Sequence, residues 1–184
     1  IVGKSGCGKT TLVDILLGMI ESNKGQILCD GKIIDSKNPN WKSLFGYVPQ
    51  KIYLLDDTIK NNIALGVDDS KIDINSINKV IDMSQLREFI DSLPAGINSI
   101  VGESGSKISG GQLQRIGIAR ALYNNPEIII FDEATNALDS KTEKDLLKTI
   151  NLIQGNKTFI IISHNLETLK DCEKIFEIIN GTVK

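Results

Sequence analysis

The chain has 184 residues, 41% of them hydrophobic and 24% charged, a balance that fits one folded domain with a sizeable core and excludes a disordered chain. Lys and Arg number 21 against 23 Asp and Glu, for a net charge of -2, so no basic surplus argues for a nucleic-acid partner. Any affinity for phosphate has to come from local geometry. The three cysteines, Cys7, Cys29 and Cys172, form no CxxC pair and are expected as free thiols in a reducing compartment. No apolar run approaches the roughly 20 residues that span a bilayer.

In chain order, Ile1-Val2 reads as a strand end, followed by a glycine loop and a helix through Thr11 to Met19. A loop of this kind follows a strand, so the chain is expected to be an internal piece lacking most of that strand and its own C-terminal end. Gln26 to Ile34 reads as a hairpin turning at Asp30-Gly31. Leu44 to Val48 is a strand stopped by Pro49. Short helical segments follow from Lys51 to about Asn125, with loops around Gly66–Ser70 and Leu93–Ser109. Apolar strands return at Ile128–Phe131, Thr158–Ile162 and Ile175–Ile179, the last opening a β-hairpin. The alternation predicts an α/β fold with a mainly parallel sheet, a small antiparallel part and an inserted helical subdomain. The core would be residues 1–50 and 126–184, and the insertion residues 51–125.

Three motifs carry chemistry. Gly3-Lys4-Ser5-Gly6-Cys7-Gly8-Lys9-Thr10 matches G-x-x-x-x-G-K-[ST], a phosphate loop between a strand and a helix. Its glycines let backbone N–H groups close around phosphate, and the helix beginning near Thr10 and Thr11 adds its positive end. Lys9 is expected on the β- and γ-phosphates and the Thr10 hydroxyl on Mg²⁺. A plain glycine turn before a helix is the competing reading, and it does not account for the full pattern. With this loop the expected fold class is a P-loop NTPase core, one that resembles the RecA-like kind.

Ile128-Ile129-Ile130-Phe131-Asp132-Glu133 is an apolar strand ending in two carboxylates, where parallel sheets bind ligands. Asp132 is expected to hold the metal through water, and Glu133 to orient or deprotonate an attacking water. Alone, the pair reads as a solvated acidic turn; beside a phosphate loop it reads as catalytic. The third motif is Ile108-Ser109-Gly110-Gly111-Gln112, opening the helical stretch Leu113 to Arg120. Ser109 can cap that helix, while the two glycines leave amides open to an anion. A simple helix cap competes with a second phosphate site. The helical insertion separates the two phosphate sites within one chain, so two chains meeting head to tail would unite them.

The phosphate loop, Ser109–Gln112, the Asp132-Glu133 strand end and His164, in this order, resemble the ATPase domains of ABC transporters over nearly the whole chain. Ile108 stands where the family's signature begins with leucine. The resemblance implies ATP and Mg²⁺ as ligands, with Gln50 as the glutamine loop contacting Mg²⁺ or the lytic water. It implies Ala137-Leu138-Asp139 as the D-loop at a dimer interface, with Asn136 where serine is common. His164 resembles the switch histidine on the γ-phosphate. The family's adenine-stacking aromatic precedes the phosphate loop, so Trp41 and Tyr47 come too late for it, and Trp41 is read as packing.

Leu54 to Ile63 and Ile100-Val101-Gly102-Glu103-Ser104-Gly105 resemble exporter segments that meet the membrane domains. The resemblance thus implies a domain at the cytoplasmic face of a membrane that powers export. Its partners would be a second nucleotide-binding domain and transmembrane domains, fused or separate. A soluble ABC ATPase acting on DNA or the ribosome is the alternative, and the absence of sustained heptads in the insertion weighs against the DNA-acting type. Tyr53, Leu54 and Leu55 are read equally as a docking groove or as core. Arg115 and Arg120 are expected in surface ion pairs within the helical insertion, with a γ-phosphate role as the alternative; Cys7 is read as a small tolerated loop residue rather than a redox-sensitive thiol.

Overall fold

The computed structural model describes residues 1–102, 108–134, 144, 145, 148, 157–163, 169, 170 and 172–184. Its centre is a parallel sheet of β3 (Phe45–Val48), β4 (Ile128–Asp132) and β5 (Thr158–Ile162), in that order. Val48 pairs with Phe131, and Asp132 with Ile162. Ile1 and Val2 extend the sheet beyond β5. The Ile1 amine donates to the Ile161 carbonyl, and Val2 bridges Glu177 in parallel.

The unbroken apolar run of β4 follows from burial on both faces. Side chains alternate across a strand, so Ile129 and Phe131 face one layer while Ile130 faces the other. The first layer holds α3 (Ile59–Ile63), α4 (Ile74–Met83) and α6 (Gly110–Leu122), whose Ile63, Ile77, Ile81 and Ile116 are fully buried with Ile129. The second is α1 (Lys9–Leu16), which packs Val13, with Leu17 beyond its end, on Ile130 and Ile162. Three layers result, with the carboxyl ends of the strands beside the start of α1.

Local chemistry sets the helix ends. Asp73 caps α4 by accepting from the Asn75 and Ser76 amides, and Thr58 caps α3 from Asn61. The first helix is shifted from the expected 11–19 to Lys9–Leu16. It starts at the loop itself and ends early because the Met19 amide turns back to the Asp14 carbonyl, with Gly18 at φ 66. Short α2 (Pro39–Lys42) seats Trp41, whose indole N–H donates to the Leu16 carbonyl at 2.7 Å while its ring meets Phe45 edge-on. Trp41 packs, as expected.

The hairpin of β1 (Ile27–Cys29) and β2 (Lys32–Ile34) turns at Asp30-Gly31, both at positive φ, the geometry that matches strand twist. The C-terminal strand is shorter than the expected 175–179: β6 (Ile178–Ile179) pairs with β7 (Thr182–Val183). Gly46 marks a close approach, since a Cβ there would lie 2.3 Å from the Ala121 carbonyl oxygen of α6. Between α4 and α6, α5 (Arg87–Asp91) completes the helical layer. No helix among the described residues is long and apolar enough to cross a membrane, and the three cysteines are free.

Candidate functional site

The loop from Gly3 to Gly8 runs directly from the sheet into α1. Gly8 stands at the helix N-cap in a left-handed conformation and supplies no side-chain cap. The first amides of α1, at Lys9, Thr10 and Thr11, therefore keep their donor capacity. Lys4, Ser5, Gly6, Thr10 and Thr11 are exposed, Gly3, Cys7 and Gly8 half-buried, and Lys9 buried. A ring of open N–H groups at a helix start favours an anion.

Lys9 is folded back over its own loop. Its Nζ donates to the Gly3 carbonyl at 2.9 Å and the Lys4 carbonyl at 3.1 Å, and it lies 3.8 Å from Glu133 Oε1. Glu133 follows the last residue of β4 and keeps the sheet bond from its amide to the Ile162 carbonyl. Its φ is 49, a left-handed backbone rarely taken by a glutamate and one that redirects its side chain at the strand end. Gln50, exposed beyond β3, donates its amide to Glu133 Oε2 at 2.9 Å. Lys9, Gln50 and Glu133 are thus brought together at the strand ends.

Asp132 sits on the face of β4 that carries Ile130, toward α1. It is 5% exposed, and its Oδ2 accepts from the Tyr47 hydroxyl at 3.0 Å. Burial pushes the Asp132 carboxyl above its ordinary range. The Tyr47 hydrogen bond and Lys9 oppose that rise, and the charges of Glu133 and Asp14 add to it. Burial and the Asp132 charge raise Tyr47 as well. A buried carboxylate under this pressure is suited to a cation.

Among the described residues no group of three or more His, Cys, Asp or Glu forms a metal cage. Mg²⁺ takes one or two carboxylates and completes its shell with phosphate and water. Asp132 and the Thr10 hydroxyl are donors of the right kind, and Gln50, whose Nε2 is on Glu133, carries a carbonyl oxygen that can serve as a third.

Ser109 caps α6 by accepting from the Gln112 amide at 3.2 Å, while Gln112 Oε1 accepts from the Ser109 amide at 2.9 Å. This capping box satisfies two groups of the helix start and leaves Gly110 and Gly111 bare. An open cleft runs beside it, lined by Gln85, Phe89, Gly111 and Arg115 among others. No hydrogen bond or ion pair among the described residues joins Ser109–Gln112 to the loop 3–8. Asp139, His164 and the stretches 103–105 and 136–138 lie outside the described residues.

Two expectations change. Among the described residues Arg120 makes no ion pair: it donates to the Asn62 carbonyl at 2.8 Å, the Tyr53 carbonyl at 3.0 Å and Asn62 Oδ1 at 3.3 Å. Its guanidinium is pulled below its ordinary range by burial. Arg115 pairs with Asp145 at 3.5 Å and also donates to the Gln85 carbonyl. The run 53–55 divides, with Leu54 6% exposed in the core and Tyr53 64% and Leu55 57% exposed.

The sequence weighs Tyr47 only as an adenine-stacking aromatic and Asn62 only as part of the segment 54–63, and it gives neither a polar partner. Asn62 is fully buried and binds the Leu55 amide and the Leu55 and Thr58 carbonyls. Tyr47 alternates with Phe45 on the α1 face, a period-2 signal that marks the face but not the partner.

A sequence model of the ABC transporter family matches residues 1–136. The whole chain aligns at 42% identity with a putative export ATP-binding/permease protein of Rickettsia bellii, covering 32% of it. It aligns at 38% identity with an ATP-dependent lipid A-core flippase of Aliivibrio fischeri, covering 31% of it. The chain therefore spans about a third of the length of these relatives. A solved bacterial Atm1-family ABC exporter with ATP bound superposes over the whole chain at a TM-score of 0.87 and 38% identity, with 32% of that chain covered.

Proposed function

The chain belongs to the ABC transporter family, and from that premise we propose that it is an ATP-binding and ATP-hydrolysing domain that powers export across a membrane. The observation that carries this reading is the meeting of Lys9, Gln50 and Glu133 at the strand ends beside α1. The export relatives and the ATP-bound exporter support it at the level of family and fold.

ATP phosphates would enter the loop of Gly3–Gly8 and take hydrogen bonds from the amides of Lys9, Thr10 and Thr11. Lys9 would leave the Gly3 and Lys4 carbonyls and Glu133 for the β- and γ-phosphates. The exchange trades two backbone carbonyls and one carboxylate for phosphate oxygens, whose greater negative charge favours the ammonium. Mg²⁺, when bound, would be held by Thr10, Asp132 and Gln50 and would neutralise charge on the β- and γ-oxygens. Glu133, held by Gln50 and freed from Lys9, would accept a proton from the attacking water. The new bond joins water oxygen to the γ-phosphorus, and the bond to the bridging oxygen breaks, releasing ADP. His164 would add a donor to the γ-phosphate.

Ser109, Gly110, Gly111 and Gln112 would close over the nucleotide of a second nucleotide-binding domain arranged head to tail, with Asp139 crossing the interface. Closure excludes bulk water and completes the site. Exposed Tyr53 and Leu55 would meet transmembrane domains, and the chain would then lie at the cytoplasmic face of a membrane.

The test is Glu133→Gln in the complete transporter. Turnover is expected to fall by about 10²-fold or more, with ATP retained and the closed dimer accumulating on size-exclusion chromatography. Turnover close to that of the unaltered protein would remove Glu133 from the mechanism.

A further inference from the structure

The geometry points to Tyr47 as a positioning residue for the divalent cation of this site, its hydroxyl fixing one oxygen of Asp132 so that the other is presented to the metal. The inference rests on the reading of Asp132 as a metal-holding carboxylate in an ATP site.

Strands β3 and β4 are parallel and Tyr47 stands opposite Ile130. Tyr47, Ile130 and Asp132 therefore project to one face of the sheet, the face covered by α1. Asp132 lies two residues farther along than Ile130, a rise of roughly 6.6 Å. A phenol spans that distance and a shorter polar side chain does not. The ring packs at the edge of the cluster of Val13, Leu17, Ile130 and Ile162, so the hydroxyl is carried on a supported lever. Its bond to Asp132 Oδ2, at 3.0 Å, spans 85 residues of sequence.

Two physical points give this contact a consequence. Rotation of an aspartate carboxylate about its last torsion is broad and weakly restrained, so a single hydrogen bond decides the plane of the group. Asp132 is also 5% exposed, and bulk water is a poor substitute for the Tyr47 donor. Outer groups that orient a ligating carboxylate typically alter metal affinity by about 10–100-fold when removed. Phe at this position would keep the ring and lose only the donor.

The test uses the complete transporter, with Mn²⁺ as a spectroscopic probe titrated by electron paramagnetic resonance in the presence of a non-hydrolysable ATP analogue. Tyr47→Phe is expected to weaken Mn²⁺ about 10-fold, with analogue binding in EDTA and the nucleotide-free melting temperature unchanged. In turnover, half-saturating Mg²⁺ should rise by the same factor, while kcat at saturating Mg²⁺ stays near the original value. Tyr47→Leu, which also removes the ring, separates hydroxyl from packing. If Phe keeps Mn²⁺ affinity within about twofold and only Leu loses it, the inference is overturned. Failure of the unaltered transporter to bind Mn²⁺ with the analogue would instead overturn the reading of the site itself.

Discussion

Gln50 Nε2 lies 2.9 Å from Glu133 Oε2, while Tyr47, three positions earlier, holds Asp132 at 3.0 Å. The end of one strand thus grips both carboxylates at the end of its neighbour. Replacing Gln50 by Ala removes the donor on Glu133 without touching the loop around Lys9. Steady-state ATPase kinetics should then show kcat reduced by about 10–100-fold and KM for ATP little changed. A large rise in KM with unchanged kcat would mean that Gln50 serves binding rather than the hydrolytic step.

Asn62 and Arg120 tie the segment before α3 to α6. Fully buried Asn62 serves the Leu55 amide and the Leu55, Asp57 and Thr58 carbonyls, and Arg120 closes on it from α6. Asn62→Ala leaves several buried polar groups unpaired at once and is expected to cost about 2–4 kcal/mol in urea unfolding. Arg120→Lys keeps the charge but loses the planar fork, and its cost should lie between that of Asn62→Ala and zero. Equal stability of Asn62→Ala and the unaltered chain would show that water replaces the lost bonds.

Gly46 admits no side chain without movement, because the Ala121 carbonyl would stand 2.3 Å from its Cβ. Gly46→Ala should force β3 away from α6 and destabilise the chain by about 1–3 kcal/mol. Since Tyr47 and Gln50 ride on the same strand, the loss of Mn²⁺ and of turnover should accompany it. Thermal melting and Mn²⁺ titration of the same preparation check both.

Acid sensitivity has a defined source in the helical layer. The Ser76 hydroxyl and the Asn75 amide hold the Asp73 carboxyl below its ordinary range. A depressed folded pKa means the stabilisation is present above the unfolded value and is lost as pH falls through the folded one. Asp73→Ala should therefore melt below the unaltered chain at neutral pH. The gap should begin to close as pH drops past about 4 and vanish in stronger acid. A gap that persists in strong acid would assign the effect to packing instead of the charged cap.

Much of the site could be read in the one-dimensional chain because its parts are local. Gly3 to Thr10 is a contiguous loop whose backbone geometry is set by its own glycines, and Ile128–Glu133 is a buried strand with its chemistry at one end. Ser109 and Gln112 cap their helix across three residues. The hairpin turn at Asp30-Gly31 and the α/β alternation are likewise consequences of short-range pattern. Period and turn chemistry act over a few residues, so they survive without the fold.

What the tertiary structure decided are the contacts whose partners are far apart in the chain. The Tyr47–Asp132 bond depends on β3 lying parallel to β4 with Tyr47 opposite Ile130. The Gln50–Glu133 bond bridges 83 residues, and Arg120 meets Asn62 across 58. The division of Tyr53, Leu54 and Leu55 between surface and core follows from the same cause, since all three are apolar in composition and only the packed helices distinguish them. Strand register and helix placement minimise exposed apolar area over the whole domain, and that sum has no local signature.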